Sequence, residues 1–569
     1  MRQKSILLGH TEQRQPVYID PQTRRTHLHI IGSTGEGKSK LMEHLIRQDI
    51  LNNDGLCLID PHGYLYNDLV RWCETKHFLG KKKIVLFDPS EDNWTFGFNP
   101  LKVRSSELSF HVDCMVKACA KVWGGENMDA TPLLKRCLRI VFHALAEKRL
   151  SLAEAMHLVD PKARAVRRFL TRDIEDPVIR SQWSFFNDLS AKVFSEEFSS
   201  TVNRMMEFLS SPIIRAVIGQ TEKTIDFRRV MDEGQILLVN LAPTDRLSDD
   251  NARLLGSLIV NDLFMNCRGR PQGSRPFYLY LDECDLFINE DIRRILDEGR
   301  KFGLHCILAH QTLGQLKKAG EDIYDSVMTD AKTKVIFGGL SAENAEILAR
   351  QIFLGELDFQ EPKEILNKPT VVGYITTWLR NHSQGVSHST GESRGRGRGG
   401  GSSSSEGTSE TRPIQQQLFG DDGSITTSTS HGSSSSFSES EGSFSSDTES
   451  ESRGESEALM PQLEEKPTSV YSLEEQVYKA MAVMVNQPTQ HAIIKLPKQP
   501  TQTVKTPTIE EGYARDERVQ KFKDQSYRLT DFAKQKVLIE RQINERWLLL
   551  EHQAQEPIDV PEEPENYRE

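Results

Sequence analysis

The chain contains a glycine-rich segment, Gly32-Ser-Thr-Gly-Glu-Gly-Lys-Ser39, that restricts the possible folds more than any other feature of its 569 residues. The segment follows a short apolar run, Thr26–Ile31, and precedes residues with the apolar spacing of a helix. In the spacing G-x-x-x-x-G-K-S, glycines let successive backbone N–H groups converge on an anion, and the N-terminus of the following helix adds a positive dipole end. The segment therefore predicts a strand, a phosphate-binding loop and a helix, in that order.

Each residue of this segment has a predicted role. We expect Lys38 to reach the β- and γ-phosphates of ATP and Ser39 to bind Mg²⁺. The other residues are expected to line the phosphate site, and they are Gly32, Ser33, Thr34, Gly35, Glu36 and Gly37. A chance glycine-rich turn is the alternative, which the strand pattern before the segment and the helix pattern after it disfavour.

A second apolar run, Phe277–Leu281, ends in two adjacent acidic residues, Asp282 and Glu283. A hydrolysing ATPase needs such a pair at the end of a neighbouring strand, where Asp282 would bind Mg²⁺ through water and Glu283 would polarise the attacking water as a general base. A buried strand that meets a solvated acidic turn is the alternative. Kinases and small GTPases seldom place a general-base glutamate directly after the metal-binding aspartate, so the pair favours an ATPase.

Polar residues also flank the next predicted strand. His310 and Gln311 follow the run Leu304–Ala309, and a side-chain amide beside the acidic strand can sense the γ-phosphate. Arg300 precedes that run, and an exposed arginine can stabilise transition-state charge, including across a subunit boundary. A solvated turn is the alternative for Arg300. We predict Gln311 and Arg300, with Glu283, as the catalytic residues.

The apolar runs indicate an α/β fold with a mostly parallel sheet. Short continuous apolar runs bounded by Gly, Asp or Pro are typical of strands buried on both faces. The predicted strands are Thr26–Ile31, Gly55–Asp60, Lys83–Asp88, Gln235–Leu241, Phe277–Asp282, Leu304–Ala309 and Lys334–Phe337. Between the third and fourth of these strands, apolar residues recur at helical spacing, which predicts an all-helical insertion between two strands of one sheet.

The C-terminal third has a different composition. Roughly half of residues 382–460 are Ser or Gly. A segment of this composition cannot bury enough apolar surface to offset the loss of chain entropy, so we predict a disordered internal loop. After it, Tyr471–Val485 has a helix pattern and His491–Leu496 a strand pattern, and both are expected to rejoin the sheet. A further helix is predicted over Arg528–His552. The predicted domains are a nucleotide-binding core over 1–101 and 223–381, the helical insertion over 102–222, the disordered loop over 382–460, the return to the core over 461–510 and an acidic, partly helical C-terminal tail over 511–569.

Charge and cysteine content limit the partners and the compartment. The net charge is −11, and residues 381–569 account for all of it, so the remainder is neutral and any polyanion site must be local. Eight cysteines without a Cys-x-x-Cys pair indicate reduced thiols. No apolar stretch reaches about 18 residues and no signal-peptide pattern is present, so we expect a cytoplasmic protein without a transmembrane segment.

Several longer segments, taken with these motifs, resemble the HerA/FtsK superfamily of RecA-like motor ATPases, and within it the TraD/TraG-type coupling ATPases of conjugative type IV secretion. The segments that carry the resemblance are Leu58-Ile-Asp-Pro-His-Gly63, Phe98-Asn-Pro-Leu101, Asp232-Glu-Gly-Gln-Ile-Leu-Leu-Val-Asn-Leu241, Asn251-Ala-Arg-Leu-Leu-Gly256 and Asp297-Glu-Gly-Arg-Lys-Phe-Gly303. The resemblance implies a RecA-like P-loop NTPase core, a homo-hexameric ring with ATP bound between subunits, and DNA in the central channel.

The resemblance also implies partners, and two features depart from it. The helical insertion is similar to the all-α domain of coupling proteins, which is thought to meet the relaxosome or DNA. Membrane-bound coupling proteins begin with transmembrane helices, whereas here the phosphate loop begins at residue 32, so docking on a secretion channel would need a separate membrane partner. The strand Lys334–Phe337 ends in Gly338-Gly339, where relatives often carry an arginine. The role of that arginine would fall to Arg300 or be lost.

The predicted function is that of an ATP-hydrolysing ring motor that translocates DNA, with ATP and Mg²⁺ as cofactors, in a conjugative or type IV secretion-like transfer system. Two alternatives stay open: a HerA-like DNA translocase partnered with a nuclease in repair or anti-phage defence, and an ATP-switched assembly protein that handles proteins. No DNA contact is predicted. The basic residues of the insertion are interpreted as a solvated helix face, and they are Lys162, Arg164, Arg167, Arg168 and Arg172.

Overall fold

A computed structural model describes the chain over residues 4–103, 107–124, 132–287, 290–353, 356, 362–364, 370–391, 403–410, 427–434, 444–464 and 469–555. Two compact units contain these residues, Met1–Phe359 with Ser472–Glu569, and Gln360–Tyr471. The first unit contains the glycine-rich loop and every other predicted site residue.

The strands confirm all seven of the predicted strands, with ends that differ by at most two residues. In chain order they are β1 (Ile6–His10), β2 (Pro16–Ile19), β3 (Leu28–Ile31), β4 (Gly55–Asp60), β5 (Ile84–Phe87), β6 (Trp94–Phe96), β7 (Ile236–Asn240), β8 (Phe277–Leu281), β9 (Leu304–His310), β10 (Thr333–Phe337), β11 (Pro362–Glu364), β12 (Thr370–Gly391), β13 (Ser403–Glu410), β14 (Thr427–Ser434), β15 (Phe444–Glu464), β16 (Ser469–Val470), β17 (His491–Lys495), β18 (Gln502–Lys505) and β19 (Ala533–Gln535).

The helices lie mostly between these strands. They are α1 (Pro21–Arg24), α2 (Lys38–Asn52), α3 (Tyr64–Thr75), α4 (Leu108–Gly124), α5 (Pro132–Glu147), α6 (Ala155–Val159), α7 (Arg164–Thr171), α8 (Pro177–Asp188), α9 (Ala191–Ser210), α10 (Pro212–Ile218), α11 (Phe227–Glu233), α12 (Asp249–Arg268), α13 (Glu290–Glu298), α14 (Leu313–Ala319), α15 (Glu321–Asp330), α16 (Ala342–Phe353), α17 (Leu473–Val485), α18 (Asp516–Leu529) and α19 (Lys536–Gln555). Within the described ranges, none of them is long and apolar enough to span a membrane.

The centre of the first unit is an eleven-stranded sheet in the order β2-β1-β18-β17-β10-β3-β9-β8-β4-β7-β5. The strands from β10 to β5 are parallel, and every residue of these seven strands is buried. Helices cover both faces, which explains the continuous apolar runs in the sequence. The predicted α/β class with a mostly parallel sheet is confirmed. β17 pairs antiparallel with β10, Ile493 opposite Ile336, so the chain returns to the sheet as expected.

The insertion between β6 and β7 begins with helices α4 to α10. Its core contains an aromatic cluster of Trp183, Phe186, Phe194 and Phe198, all less than 2 % exposed. Trp183 also donates its indole N–H to the carbonyl oxygen of Ile140 at 3.2 Å. Because α4 packs against α12 of the core, the insertion is anchored at its entry. The predicted all-helical character is confirmed for the described residues, while the domain boundaries stay predictions.

The C-terminal residues 511–555 pack against the core, although the sequence suggested a tail. α18 packs against α3 and β5, and β19 pairs with β6. α19 then contacts α7 and α10 of the insertion, with Ile539 and Ile543 buried. The helix predicted over Arg528–His552 is wrong at its start, because Arg528 belongs to α18 and the strand β19 separates the two helices. The segment therefore joins the core to the insertion.

The long strands of the second unit form antiparallel ladders. β12 pairs antiparallel with β15, and β13 with β14. The disordered loop predicted over 382–460 falls partly on these ladders and partly outside the described residues. An isolated two-stranded ladder is marginally stable in water, and Ser and Gly supply little apolar surface to bury. A composition of this kind opposes a packed core in the segment.

The contact between α19 and the insertion yields a stability prediction. Arg546 donates two hydrogen bonds, at 2.9 and 3.1 Å, to the carboxylate of Glu154, whose side chain is 0 % exposed. Arg546→Ala leaves that carboxylate buried without its cation, and we expect the free energy of unfolding to fall by about 3 kcal/mol in urea denaturation.

Arg541→Ala on the same helix is the matched control. Its partner, Glu545, is 58 % exposed, and pairs of this kind contribute less than about 1 kcal/mol. Equal losses for the two variants would contradict a stabilising role for the buried pair.

Candidate nucleotide-hydrolysis site

The predicted site residues meet at one edge of the sheet. β3 lies between β10 and β9, and β8 follows β9 in the sheet order. Gly32 follows β3, Asp282 follows β8 and Gln311 follows β9. Because these strands are parallel, their carboxyl ends lie at the same edge, where ligands of open α/β sheets bind.

The glycine-rich segment forms the loop between β3 and α2, as predicted. Gly37 caps the helix with a φ of 117°, a conformation that residues with a Cβ rarely adopt. Thr34 and Gly35 form the exposed tip of the loop. Lys38 is 5 % exposed, and its ammonium group donates to the carbonyl oxygen of Ser33 at 3.1 Å. Lys38 therefore lies across the loop, near the first N–H groups of α2, which lack intrahelical partners.

Two later segments support the loop, and the sequence patterns predicted neither role. The Ser33 N–H donates to the carbonyl oxygen of Gly338 at 3.1 Å, and the Ser33 hydroxyl donates to that of Gly339. From the segment before β17, the Gln490 N–H donates to the carbonyl oxygen of Glu36 at 3.0 Å. A Gly-Gly pair after an apolar strand was the available signal for the first contact. The second joins residues far apart in the chain and left no local signal.

Ser39 and Asp282 lie together beside the loop. The Ser39 hydroxyl donates to a carboxylate oxygen of Asp282 at 3.2 Å. Burial raises the pKa of Asp282 to about 6, and the neighbouring carboxylates of Asp60 and Glu283 add to that shift. Burial lowers the pKa of Lys38, while the charges of Glu283 and Asp282 oppose the shift. This set of a hydroxyl and crowded carboxylate oxygens fits Mg²⁺, which prefers oxygen ligands and would relieve the repulsion between the acids.

Glu283 and Gln311 contact each other. The Gln311 amide donates to a carboxylate oxygen of Glu283 at 2.8 Å. Glu283 has a φ of 43°, uncommon for a residue with a side chain and often associated with functional sites. Glu283 directly follows Asp282, the predicted metal ligand, at the end of β8. The Glu283 carboxylate and the Gln311 amide that bonds to it therefore lie next to that ligand. That arrangement can orient and deprotonate a water molecule.

Asp60 is a further buried acid at this edge. It ends β4, which neighbours β8, and is 1 % exposed. Its two carboxylate oxygens accept from the N–H groups of His62 at 2.9 Å and Tyr66 at 2.8 Å. Asp60 therefore fixes the turn into α3, which begins directly after Gly63. Its negative charge also acts on Asp282 from the neighbouring strand.

Arg300 does not join the other predicted catalytic residues within the chain. It lies in the turn Gly299–Phe302, before β9 begins, whereas Gln311 follows the end of β9. A seven-residue strand spans about 20 Å, so Arg300 occupies the opposite edge of the sheet, where it is exposed. This geometry separates Arg300 from the phosphate loop of its own chain. A role across a subunit boundary stays a prediction.

Comparisons with known proteins bear on this geometry. A family model described as "Helicase HerA, central domain" matches residues 6–240, and one described as "Type IV secretion-system coupling protein DNA-binding domain" matches residues 233–370. The predicted resemblance to the HerA/FtsK superfamily is confirmed. No curated protein matches the chain at the sequence level.

Solved structures of TrwB share the fold of this HerA/FtsK-like chain. The unbound monoclinic form of the bacterial conjugative coupling protein TrwBdeltaN70 aligns with a TM-score of 0.53 at 14 % identity, covering 90 % of this chain and 93 % of the TrwBdeltaN70 chain. The plasmid coupling protein TrwB in complex with the non-hydrolysable GTP analogue GDPNP aligns with a TM-score of 0.51 at 15 % identity, covering 88 % and 89 %. The RecA-like P-loop NTPase fold that the resemblance implied is therefore confirmed.

The pair Gly338-Gly339, which departs from the resemblance to the HerA/FtsK superfamily, has a structural reason in this chain. A Cβ on Gly338 would lie 2.9 Å from the carbonyl oxygen of Gln487, and one on Gly339 would lie 2.7 Å from the Cβ of Ser33. Gly339 thus allows the strand end to approach the phosphate loop, and Gly338 allows it to approach the segment before β17. An arginine there would displace one of those neighbours.

Three of the five basic residues of the insertion bond to Asn187 within the chain. Arg167 is 3 % exposed and donates to the side-chain oxygen of Asn187 at 3.0 Å, and Arg164 donates to the Asn187 carbonyl oxygen at 2.8 Å. Arg168 also approaches that carbonyl, at 3.4 Å. Cations at the C-terminus of a helix are stabilised by its dipole, and Asn187 lies at the end of α8. These contacts favour a structural role. Arg167 is buried, whereas the other four basic residues are exposed, as expected for a solvated helix face, and they are Lys162, Arg164, Arg168 and Arg172.

Buried histidines run through the strands that carry the site. His27 and His29 belong to the segment that leads to the phosphate loop, and His310 ends β9. Burial lowers the pKa of His310 to about 3 and that of His27 to about 4, and it lowers the pKa of His29 well below its usual range. All three are therefore neutral in the folded protein near neutral pH.

Gly339→Ala should weaken nucleotide binding. The added methyl group would meet Ser33, and Gly339 has a φ of 74°, so we expect roughly a tenfold rise in the Kd of a fluorescent ATP analogue, equal to about 1.4 kcal/mol. Gly80→Ala is the matched control, because Gly80 has a φ of 72° and no atom within 4 Å of a Cβ. It should cost about 1 kcal/mol of stability through backbone strain alone. Unchanged affinity in Gly339→Ala would contradict the proposed support of the loop.

The buried histidines predict a pH dependence of stability. Their pKa values are lower in the folded state than in the unfolded state, where histidine titrates near 6.5, so the unfolded chain binds more protons below that pH. The free energy of unfolding should therefore fall as the pH falls from about 6.5 to about 4, by up to about 1.4 kcal/mol per pH unit for each histidine. Urea denaturation of wild type and His310→Asn across this range should show a shallower slope for the variant. Equal slopes would contradict the burial of a neutral His310.

Proposed function

We propose that this chain is an ATP-hydrolysing ring motor that translocates DNA, as the coupling ATPase of a conjugative or type IV secretion-like transfer system. The observation that carries the proposal is the meeting of Lys38, Ser39, Asp282, Glu283 and Gln311 at one edge of the sheet. The match to the coupling-protein DNA-binding domain over residues 233–370 supports DNA as the substrate that is moved.

The residues at the sheet edge divide the work of hydrolysis. Lys38 and the N–H groups of the glycine-rich loop would bind the β- and γ-phosphates and stabilise the charge that develops on them. Glu283 would accept a proton from the attacking water, which the Gln311 amide would orient from the other side. Gln311 donates directly to Glu283, so loss of the γ-phosphate would change the hydrogen bonding of both side chains and could shift the end of β9. That link can convert hydrolysis into motion of the segments after β8 and β9.

Magnesium has a fitting set of ligands here. Ser39 and Asp282 would hold the ion, Asp282 through water. When bound, Mg²⁺ supplies Lewis-acid stabilisation of the phosphate oxygens.

The same proposal assigns partners and a location. The motor would be a homo-hexamer with ATP between subunits and DNA, single- or double-stranded, in its channel. Arg300, exposed at the opposite sheet edge, is available to a neighbouring subunit's site. We place the motor in the cytoplasm, where it would meet a relaxase or relaxosome and dock on the membrane through a separate partner.

A HerA-like translocase partnered with a nuclease is the second candidate. It is favoured by the match of residues 6–240 to the HerA central domain. It predicts that the chain, purified under native conditions, retains a magnesium-dependent nuclease in a stable complex. A coupling motor predicts a complex with a relaxase instead.

ATP hydrolysis by the purified full chain, measured with and without single- and double-stranded DNA, tests the proposal. DNA should stimulate hydrolysis, and Lys38→Ala and Glu283→Gln should each lower it by about 10²-fold or more, through lost charge stabilisation and a lost base. Lys40→Ala is the matched control, because Lys40 lies on the same helix and pairs with Glu43 and Asp68.

Each outcome of that measurement has a definite meaning. Stimulation abolished by both site variants supports the DNA motor, and the stronger stimulant identifies the preferred strand form. Hydrolysis that requires Lys38 but ignores DNA would overturn translocation and favour an ATP-switched protein-handling role. Hydrolysis unaffected by Glu283→Gln would overturn the assigned base.

A further inference from the structure

We propose that His29 and His310 are positioning residues that keep the Gln311 side chain against Glu283. The proposal rests on the proposed ATPase function, in which Gln311 and Glu283 are the candidate catalytic pair. Both histidines are 0 % exposed, so they would act through their neighbours and not by touching nucleotide.

The hydrogen bonds of His310 fix its tautomer. Its Nδ1 lies 3.0 Å from the carbonyl oxygen of Thr312. A carbonyl can only accept, so Nδ1 carries the hydrogen, and in a neutral imidazole Nε2 is then an acceptor. The Nε2 of His29 lies 2.6 Å from it and must therefore donate. The order of donation runs from His29 to His310 to Thr312.

The arrangement of the two rings suits this bond. Their planes are 12° apart and their centroids are 4.8 Å apart. The centroid separation of 4.8 Å is about equal to the 2.6 Å between the two Nε2 atoms plus the radii of the two rings. The rings therefore meet edge to edge, and both Nε2 atoms lie between the centroids. The lone pair of His310 Nε2 lies in its ring plane and therefore points at the donor.

Gln311 lies between the two ends of a fixed turn. His310 bonds to the carbonyl oxygen of Thr312 on one side. On the other, the side-chain oxygen of Gln315 accepts from the N–H groups of Gln311 at 3.2 Å and Thr312 at 2.9 Å. With its backbone fixed at both sides, the Gln311 side chain has few alternatives to the 2.8 Å bond to Glu283. A preorganised amide at this point loses little entropy when water and phosphate bind.

This relay of hydrogen bonds, from His29 through His310 to Thr312, also joins β3 and β9. His29 lies in β3, three residues before Gly32, and His310 ends β9, one residue before Gln311. A shift of the phosphate loop at the end of β3 would therefore reach the Gln311–Glu283 pair through one hydrogen bond. Lys334 on β10 faces His29 across the strand pair, and its ammonium group is engaged with the carbonyl oxygen of Val327 at 2.9 Å.

A double-mutant cycle on the full chain tests the proposal. His29→Leu removes the donor to His310, and we expect kcat for ATP hydrolysis to fall roughly tenfold, since small misplacements of catalytic groups cost up to about 10²-fold. The Kd of a fluorescent ATP analogue should change less than about twofold, because the loop contacts are untouched. His29→Gln, which can place a donor near the lost nitrogen, should recover most of kcat. His310→Asn, which keeps a donor for Thr312, is the second variant if His29→Leu fails to fold.

His305→Leu is the matched control. His305 lies in the same strand as His310 and is 1 % exposed, and its ring packs beside those of His27 and Tyr278. It removes an equally buried histidine far from Gln311, so kcat should stay within about twofold of wild type if burial alone is unimportant to catalysis.

The cycle with Gln311→Ala separates the possible results. If His29 acts through Gln311, His29→Leu should cost nothing further in the Gln311→Ala background. An equal loss of kcat in both backgrounds, or an equal loss from His305→Leu, would overturn the positioning role. If Gln311→Ala itself leaves kcat unchanged, the fault lies in the proposed catalytic assignment and not in the relay.

Discussion

The parallel alignment of β3, β9 and β8 is the constraint on which the rest of the structure depends. In a parallel ladder the carboxyl ends of neighbouring strands meet at one edge, so three segments distant in sequence deliver the phosphate loop, the acidic pair and Gln311 to one place. The alignment requires each strand to be buried on both faces, and their unbroken apolar composition satisfies that requirement. Slipping one strand would separate Ser39 from Asp282, which now share a hydrogen bond.

The phosphate loop depends on partners from the end of the core as much as on its own glycines. Gly338 and Gly339 accept from Ser33, and Gln490 donates to Glu36. Both partner segments adjoin β10 and β17, which pair with each other and flank β3. The return of the chain to the sheet after the long Ser/Gly-rich segment is therefore part of the nucleotide site, and not an appendage to it.

The C-terminal segment couples the core to the helical insertion. β19 pairs with β6, immediately before Phe98-Asn-Pro-Leu101 leads into the insertion, and α19 continues onto α7 and α10. The bond from Arg546 to the buried Glu154 joins α19 to the insertion. Separating them would leave a buried carboxylate without its cation. Any movement of the insertion during a nucleotide cycle must carry α19 with it or break that contact.

The sequence by itself determined the strands and the loop, because glycine spacing and apolar run length are local properties of the chain. From adjacent acids and polar strand ends it also predicted as site residues the side chains that the structure brings to one sheet edge, and they are Lys38, Ser39, Asp282, Glu283 and Gln311. It predicted less well wherever a residue's role depends on distant neighbours. Arg300 had a suggestive composition around it, but the direction of β9 places it at the opposite edge of the sheet. The helix over Arg528–His552 continued an apolar pattern that pairing with β6 interrupts. The roles of Gly338-Gly339, Gln490 and the His29–His310 pair came only from the tertiary structure, since each is defined by a hydrogen bond or a close approach between strands that the order of residues does not reveal.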